Sequence, residues 1–390
     1  ERIAIGNIED VLDYVTLKEK GVDGRMGNAQ PVLQLPSPQQ RIQLRKLEDR
    51  ITSIDKILLD AETERLRTEW EKTALDTIPV SVRKGLVAHY EFEGDFLDSS
   101  GNGRHANTRR GEVTYDTGKI GKGAEFNGEV TLDLGSTFEF DREDPFSLAF
   151  WIRKRGGHTK REMAILQKIE DRESRRGFEV IRTAPEAFGP HQFNFRIQLR
   201  LTHRWPDNAI EVRTKEPLAF GPGYSGVHHI AITYDGSEEA LGFKMYVDGQ
   251  KREVEVIRDN LSASIQTSSP LEIGSKRTAR PYLGQLDDLR IYRVPLTEVE
   301  IGQLAISEPI RALLSTSDES CVEILALYDK EEIEGGNGNL DQSKQLKSCQ
   351  DRRQRLREYY LTHVAIDKWR HLNSELKRLR AQKKDLQAAI

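Results

Sequence analysis

The 390-residue sequence predicts a mainly β protein: a two-sheet β-sandwich flanked by two long α-helices. Three observations carry this. Residues 84–306 hold short β-branched and aromatic runs separated by Gly, Asp and Pro, and about a dozen strands over ~220 residues suit two packed sheets. Residues 37–78 place Leu44, Leu47, Ile51, Ile54, Leu58 and Ala61 at steps of three and four, the seam of a coiled-coil helix. Residues 351–390 repeat the pattern with Trp369, Leu372, Leu376, Leu379, Lys383, Leu386 and Ile390.

In chain order, residues 1–36 read as a linker or tail, because Gly21, Gly24, Gly27, Pro31 and Pro36 interrupt any long element. Ser37-Pro38 offers an N-cap followed by proline at the first helical position, which opens the helix over 37–78. In the β region, Phe193, Phe195, Ile197, Leu199 and Leu201 alternate with Asn194, Arg196, Gln198 and Arg200, so one strand with a polar face is expected. Asp248-Gly249 after a β run signals a hairpin. Residues 307–350 form an acidic linker before the helix over 351–390, in which Lys383 is the polar residue that can specify register. Each helix needs a partner for its apolar seam. With termini close together, the two are expected to pair as an antiparallel coiled-coil stalk; pairing with other chains or domains is the alternative.

The β region resembles the laminin-G-like, concanavalin A-like lectin/glucanase superfamily. The residues that carry the likeness are Gly85–Phe92, the turn Asp98-Ser99-Ser100-Gly101-Asn102-Gly103, Gly121–Gly128, Phe146–Ile152, His228–Gly236, Met245–Gly249 and Gly284–Tyr292. Val227 departs from the pattern, where the family usually has Trp, and so does the arginine-rich insert at 153–182. The resemblance implies a jelly-roll sandwich over 84–306. The segments Gly21–Ala29 and Leu35–Gln40, with Tyr359-Tyr360-Leu361, are similar to the flanks of this module in large planctomycete-type proteins with cytochrome-c-like domains. That likeness implies an exported piece of a longer polypeptide, periplasmic or at the cell surface, whose flanking domains are candidate partners.

Carbohydrate or glycoconjugate binding is what the superfamily most often implies. Trp205 and Tyr224, in loops containing Pro and Gly, are candidate sugar platforms, and the polar face of Asn194, Arg196, Gln198 and Arg200 is a second candidate. A structural Ca²⁺ is the expected cofactor. Asp98 and Asn102 supply hard oxygen donors from one turn, and the resemblance suggests that Asp287 or Asp288 closes the site. Adjacent on one strand, these two should face opposite ways, so one of them at most ligates well. The insert at 153–182 is basic, but interleaved Glu162, Glu170, Asp171 and Glu173 favour a solvated loop over a surface for an anionic polysaccharide.

Catalysis is not expected. A retaining glycosidase needs two carboxyl groups ~5–5.5 Å apart. Glu253 and Glu255 share a face, but the family does not place catalysis there. No G-x-S-x-G and no H-E-x-x-H occurs. Lys+Arg 59 against Asp+Glu 63 leaves a net charge of −4, so no global positive field points to nucleic acid. No apolar run reaches the ~18 residues of a membrane span. Cys321 and Cys349 are the only cysteines and form no haem-attachment motif. They are either free thiols or a disulfide, which would imply an oxidising compartment.

Overall fold

The computed structural model describes residues 36–389, apart from 136–138, 155–160, 185, 189–191, 221–225, 276, 278–279, 316–320 and 322–339. Of the expected linker at 1–36, residues 1–35 therefore lie outside the described residues. The chain divides into two compact units: one runs to Thr68 and resumes at Arg357, and the other is Glu69–Leu356.

The helices are α1 (Pro38–Leu58), α2 (Ala61–Thr77), α3 (Glu298–Gly302), α4 (Glu308–Ser315), α5 (Leu340–Tyr359) and α6 (Asp367–Ala388). The strands begin with β1 (Leu86–Tyr90), β2 (Asn107–Arg110), β3 (Thr114–Thr117), β4 (Lys122–Asn127), β5 (Thr131–Asp133), β6 (Phe146–Lys154) and β7 (Met163–Ile169). They continue with β8 (Gly177–Arg182), β9 (Glu186–Phe188), β10 (Gln192–Phe195), β11 (Ile197–Arg204), β12 (Asn208–Thr214), β13 (Leu218–Phe220) and β14 (Val227–Tyr234). The last are β15 (Phe243–Val247), β16 (Gln250–Arg252), β17 (Val254–Asp259), β18 (Glu272–Ile273), β19 (Arg280–Pro281) and β20 (Leu283–Tyr292).

In the first unit, Ser37 caps α1 as its sequence position predicts. Its hydroxyl accepts the Gln40 amide at 3.2 Å, and the Gln40 side chain accepts the Ser37 amide at 2.8 Å, a reciprocal capping box. The helix ends at Leu58 rather than running to residue 78, and α2 begins at Ala61. The C-terminal helix is interrupted as well: a π-helical turn at Tyr360–Val364 and extended backbone at Ala365 separate α5 from α6. The apolar seams follow the sequence pattern. Ile54 and Leu58 in α1, and Trp369, Leu376 and Leu379 in α6, are buried. Three ion pairs join the two helices: Arg50 to Glu375 at 2.9 Å, Asp55 to Arg380 at 2.8 Å and Glu48 to Lys383 at 2.9 Å.

The second unit holds two antiparallel sheets packed as a sandwich. One has the order β16-β15-β14-β6-β20-β4-β3, with β1 also on β20; the other has the order β17-β12-β11-β8-β7-β18-β5-β2, with the parallel β19 on β7. A small third sheet is β13-β10-β9. The core is the consequence of pleat and register. Val212, Leu199, Val180, Leu166, Ile273 and Leu132 stand opposite one another on successive strands of the nine-stranded sheet, and all six are buried in one apolar cluster. On the facing sheet Phe146, Leu148, Phe150 and Ile152 alternate along β6 and join the same cluster. The turn from β7 to β8 needs Gly177, whose φ is +128°; a Cβ there would collide with the Lys168 carbonyl. Cys321 and Cys349 are joined by a disulfide, with Cα atoms 5.3 Å apart.

The expected single strand over 193–201 is divided. Asn194 belongs to β10 in the small sheet, and Gln198 and Arg200 belong to β11 in the nine-stranded sheet, with Arg196 between them. The Arg196 amide bonds the Thr183 hydroxyl at 2.9 Å, which takes the chain off one ladder before the next begins.

Leu199 is fully buried at the middle of its row. Leu199→Ala is expected to cost about 2–5 kcal/mol, read as a lower urea midpoint with an unchanged m-value.

Candidate functional site

The pleat that sends Leu199 inward sends its neighbours to the other face of the nine-stranded sheet. There the register lines up Arg258, Glu211, Arg200, Glu179, Gln167, Glu272, Asp133 and Asn107, one from each strand of the path. This is a polar row crossing the whole sheet. Its centre is closed to solvent. Arg200 is 5% exposed and bonds Glu211 at 2.8 Å, Glu179 at 3.1 Å and Glu162 at 3.3 Å. Gln198 donates to Glu211 at 2.9 Å. Burial opposes the Arg200 charge, yet Glu179, Glu162 and Glu211 hold its pKa above the ordinary value.

The expected polar face of Asn194, Arg196, Gln198 and Arg200 is therefore divided. Gln198 and Arg200 are locked in this network. Arg196 donates to the Thr214 carbonyl at 3.2 Å, and Asn194 stands in a different sheet. The Trp205 ring is packed by guanidinium groups, with those of Arg200, Arg258 and Arg175 at 4.6, 5.1 and 5.2 Å. The ring therefore takes part in cation–π contacts within the chain. Tyr224 lies outside the described residues.

Toward the other end of the row the surface opens. A pocket of about 550 Å³ is lined by Arg109 and Arg110 of β2, Thr131 of β5, Glu272 of β18, Ser275 and Arg277 after it, and the turn Glu170-Asp171-Arg172 after β7. Every lining side chain is polar. Glu272, 2% exposed, is its anchor: one oxygen pairs with Arg109 and the other with Arg277 at 2.8 Å. Burial works against the Glu272 charge, but the Arg277 and Ser275 bonds hold its pKa below the usual carboxylate range. Asp171 is likewise held low, first by the Ser174 amide. Sequence reasoning missed this pocket, although Arg172 belongs to the basic insert it had marked.

The residues expected to hold calcium are engaged by protein donors. Asp98 accepts the amides of His89, Ser100 and Arg104, each at 2.9 Å, and the Ser100 hydroxyl at 2.9 Å. Asn102 donates to the carbonyls of Leu86 and Val87. Asp288 lies 2.5 Å from His89 Nε2 and 3.1 Å from Arg290. Asp287 accepts the amides of Lys119 at 2.6 Å and Ile120 at 3.0 Å through one oxygen. Among the described residues, no three His, Cys, Asp or Glu side chains are grouped so as to hold a metal ion.

Asp287 and Asp288 also correct the expectation that they face opposite ways. The ladder between β20 and β6 shifts between Asp287 and Arg290, and Asp288 has φ +51°. Such a bulge puts two residues where one belongs. Leu286 and Leu289 both reach the core, which leaves both aspartates on the far face. There Asp287 stands opposite Trp151, which stands opposite His229. Burial, with Asp288 nearby, pushes the Asp287 pKa up to about 8. Burial lowers His229 to about 4 and Lys119, whose ammonium lies 5.1 Å from the Trp151 ring, to about 8.

A profile of the Concanavalin A-like lectin/glucanases superfamily, of laminin-G-like type, matches residues 125–302, which supports a laminin-G-like domain within the sandwich. Among solved structures, the chain is similar to domain 4 of AbnA, a GH43 extracellular arabinanase from Geobacillus stearothermophilus, in complex with arabinotriose. The identity is 22%, with 56% of this chain and 98% of that one covered and a TM-score of 0.41. It is similar to the binding domain of Paraclostridial Mosquitocidal Protein 1 at 19% identity, covering 58% and 53%, with a TM-score of 0.43. The botulinum neurotoxin serotype G binding domain matches at 18% identity, covering 56% and 50%, with a TM-score of 0.41. The chain thus spans about half the length of the latter two. No curated protein sequence matches it. Among the described residues, no helix is long and apolar enough to cross a membrane.

Asp287 couples the stability of the fold to pH. Its folded pKa, near 8, is above the unfolded value of 3.8, so the folded state binds the extra proton between those limits and stability falls as pH rises through them. His229, lowered from 6.5, acts below about pH 6.5, and Lys119, lowered from 10.5, acts above about pH 8. Between pH 6.5 and 8, Asp287 is expected to give a falling stability of up to about 1.4 kcal/mol per pH unit. Asp287→Asn should flatten this slope in urea titrations across that window; an unchanged slope would show that Asp287 is ionised in the fold.

Proposed function

We propose that this chain is a non-catalytic carbohydrate- or glycoconjugate-binding module of laminin-G-like type, carried within a larger exported protein. The observation that supports it best is the pocket at the end of the polar row. Its hydroxyl, carboxylate and guanidinium groups converge from β2, β5, β18 and the turn after β7, and sugars are recognised by such fixed polar groups. The matching profile over 125–302 supports the same class. The Cys321–Cys349 bridge supports export to an oxidising compartment.

Two arguments favour binding over turnover. Glycoside hydrolysis needs a carboxyl group kept protonated as the general acid, but Glu272 and Asp171 are both held below the usual carboxylate range. Elsewhere, Ser99 Oγ lies 2.9 Å from His89 Nδ1 and Asp288 lies on the other side of the ring. These are the residue types of a nucleophilic triad. Arg290 spoils that use: it pairs with Asp288 at 3.1 Å and its Nε sits 3.1 Å from His89 Nε2, so the aspartate is already neutralised and a cation faces the ring. On a glycan array the chain is expected to retain at least one polysaccharide class, with no new reducing ends in the same sample. Retention of none, or released reducing ends, would refute this reading.

A second reading, that the module orders neighbouring domains or subunits, rests on the α1–α6 ion pairs. The two helices then form a two-stranded antiparallel coiled-coil stalk within one chain. Light scattering is expected to give a monomer; a dimer that dissociates on Lys383→Glu would assign the seams to pairing between chains.

A further inference from the structure

The outer face of the sheet that contains β14, β6 and β20 holds polar groups the fold leaves unmatched. Asp287 of β20, Trp151 of β6 and His229 of β14 stand opposite one another across three adjacent strands. Each is at most 3% exposed. Asp287 Oδ1, Trp151 Nε1 and His229 Nδ1 have no hydrogen-bond partner among the described residues. A buried polar atom without a partner costs free energy. Three of them at neighbouring register positions mark a place that the chain's own groups do not complete.

Two cations border the same place, both within the Glu69–Leu356 unit. The turn from β3 to β4 lies over Asp287, whose Oδ2 accepts the amides of Lys119 and Ile120. That turn sets the Lys119 ammonium 5.1 Å from the centre of the Trp151 ring. Arg355 of α5 donates to the Lys119 carbonyl at 3.3 Å. Among the described residues neither cation forms an ion pair; Asp351, on the same helix as Arg355, acts on it only from beyond ion-pair distance. Burial, followed by the like charge of Arg355, lowers the Lys119 pKa. An aromatic face attracts an ammonium but offers it no acceptor atom. The nearest acids are engaged elsewhere. Asp248 lies 2.7 Å from His228 Nδ1 and accepts the His229 amide at 2.9 Å, and Asp288 is paired with Arg290.

We infer that this face seats one carboxylate, held between Lys119, Arg355 and the indole N–H of Trp151. A carboxylate has two oxygens in one plane. One meets the two cations, and the other meets the indole N–H, a donor that only an acceptor satisfies. His229 Nδ1 and Asp287 Oδ1 complete the set, because each donates when the proton sits on that atom. A water molecule satisfies the neutral orphans but leaves Lys119 and Arg355 without a counter-charge. A dianion meets more repulsion than a monoanion from the Asp248 and Asp288 carboxylates. Lys119 and Arg355 are each partly exposed, so a small ligand reaches them from solvent. The seat lies on the opposite sheet from the pocket and does not depend on the saccharide reading.

The test is a titration of the whole chain labelled with nitrogen-15 tryptophan. The sequence has four tryptophans, so four indole signals are expected. Trp70→Phe, Trp205→Phe and Trp369→Phe assign the Trp151 signal by elimination. Formate and acetate are the probes, with chloride and sulfate added in parallel at matched ionic strength and neutral pH. The Trp151 signal is expected to move saturably with formate or acetate while the other three stay in place. Lys119→Met and Arg355→Gln, whose unfolding curves report that they still fold, should each weaken that binding about tenfold or more. Lys122→Gln, an exposed lysine on the strand that follows the same turn, should not. Acetate should also raise the urea midpoint of the parent chain and leave that of Lys119→Met unchanged. A Trp151 signal that ignores both carboxylates, moves equally with chloride or further with sulfate, or loses binding equally in Lys122→Gln overturns the inference.

Discussion

Arg200 sets the terms for the nine-stranded sheet. A guanidinium at 5% exposure in the middle of a sheet is tolerable only if carboxylates meet it, because a buried unpaired charge costs several kcal/mol. The register supplies them: Glu179 and Glu211 lie directly opposite on both neighbouring strands. A slip of one residue on either side would place a core residue, Val180 or Val212, against Arg200 and turn the carboxylate inward. The ion network and the apolar core thus specify the same register, each excluding the alternative the other would leave open. The arrangement also fixes where Glu272 falls in the row, and with it the floor of the pocket.

The other sheet solves the same problem less completely. Asp288, Arg290 and His89 satisfy one another, with Arg290 also 3.5 Å from Glu308. One residue away, Asp287 has only two amides on one oxygen, and its second oxygen has no partner, as is true of Trp151 Nε1 and His229 Nδ1 beside it. The bulge explains the contrast. It brings two carboxylates to one face where Arg290 pairs with Asp288, so one aspartate is neutralised by charge while burial raises the pKa of the other. The outer end of the same face is apolar, with Tyr246, Tyr292 and Ala149 packed under Ile301 and Leu304.

What the sequence revealed follows from which signals are periodic. Alternation through 197–201 identified core and polar faces correctly, and the Ser37-Pro38 start of α1 carried its own cap. Breaks in periodicity were not legible. The departure at Arg196 rests on a bond to Thr183, thirteen residues away, and the bulge at Asp287-Asp288 adds one residue with no change in composition. The turn Asp98–Gly103 was legible as oxygen-rich, a composition that suits a Ca²⁺ ligand set and a self-capped turn alike. Only the donors converging on Asp98 from His89 and Arg104 reveal a turn that satisfies itself. The pocket was invisible for a stronger reason: its residues come from four separate segments, none of them a motif.

That scatter bears on how a binding surface can arise on this fold. The centre of the polar row is committed to holding the sheet in register, so its residues cannot also turn toward a ligand. At β18, only two residues long, the row reaches a short element, and Glu272 is met by Arg277 from the segment that follows as well as by Arg109 of β2. One of the two partners of the buried acid therefore comes from outside the ladder. The same rule that closes the middle of the sheet, a buried charge with its partner beside it, holds at this end too. Residues 170–172 lie outside that ladder, so sequence change there can alter the pocket lining without disturbing Arg200 and its carboxylates.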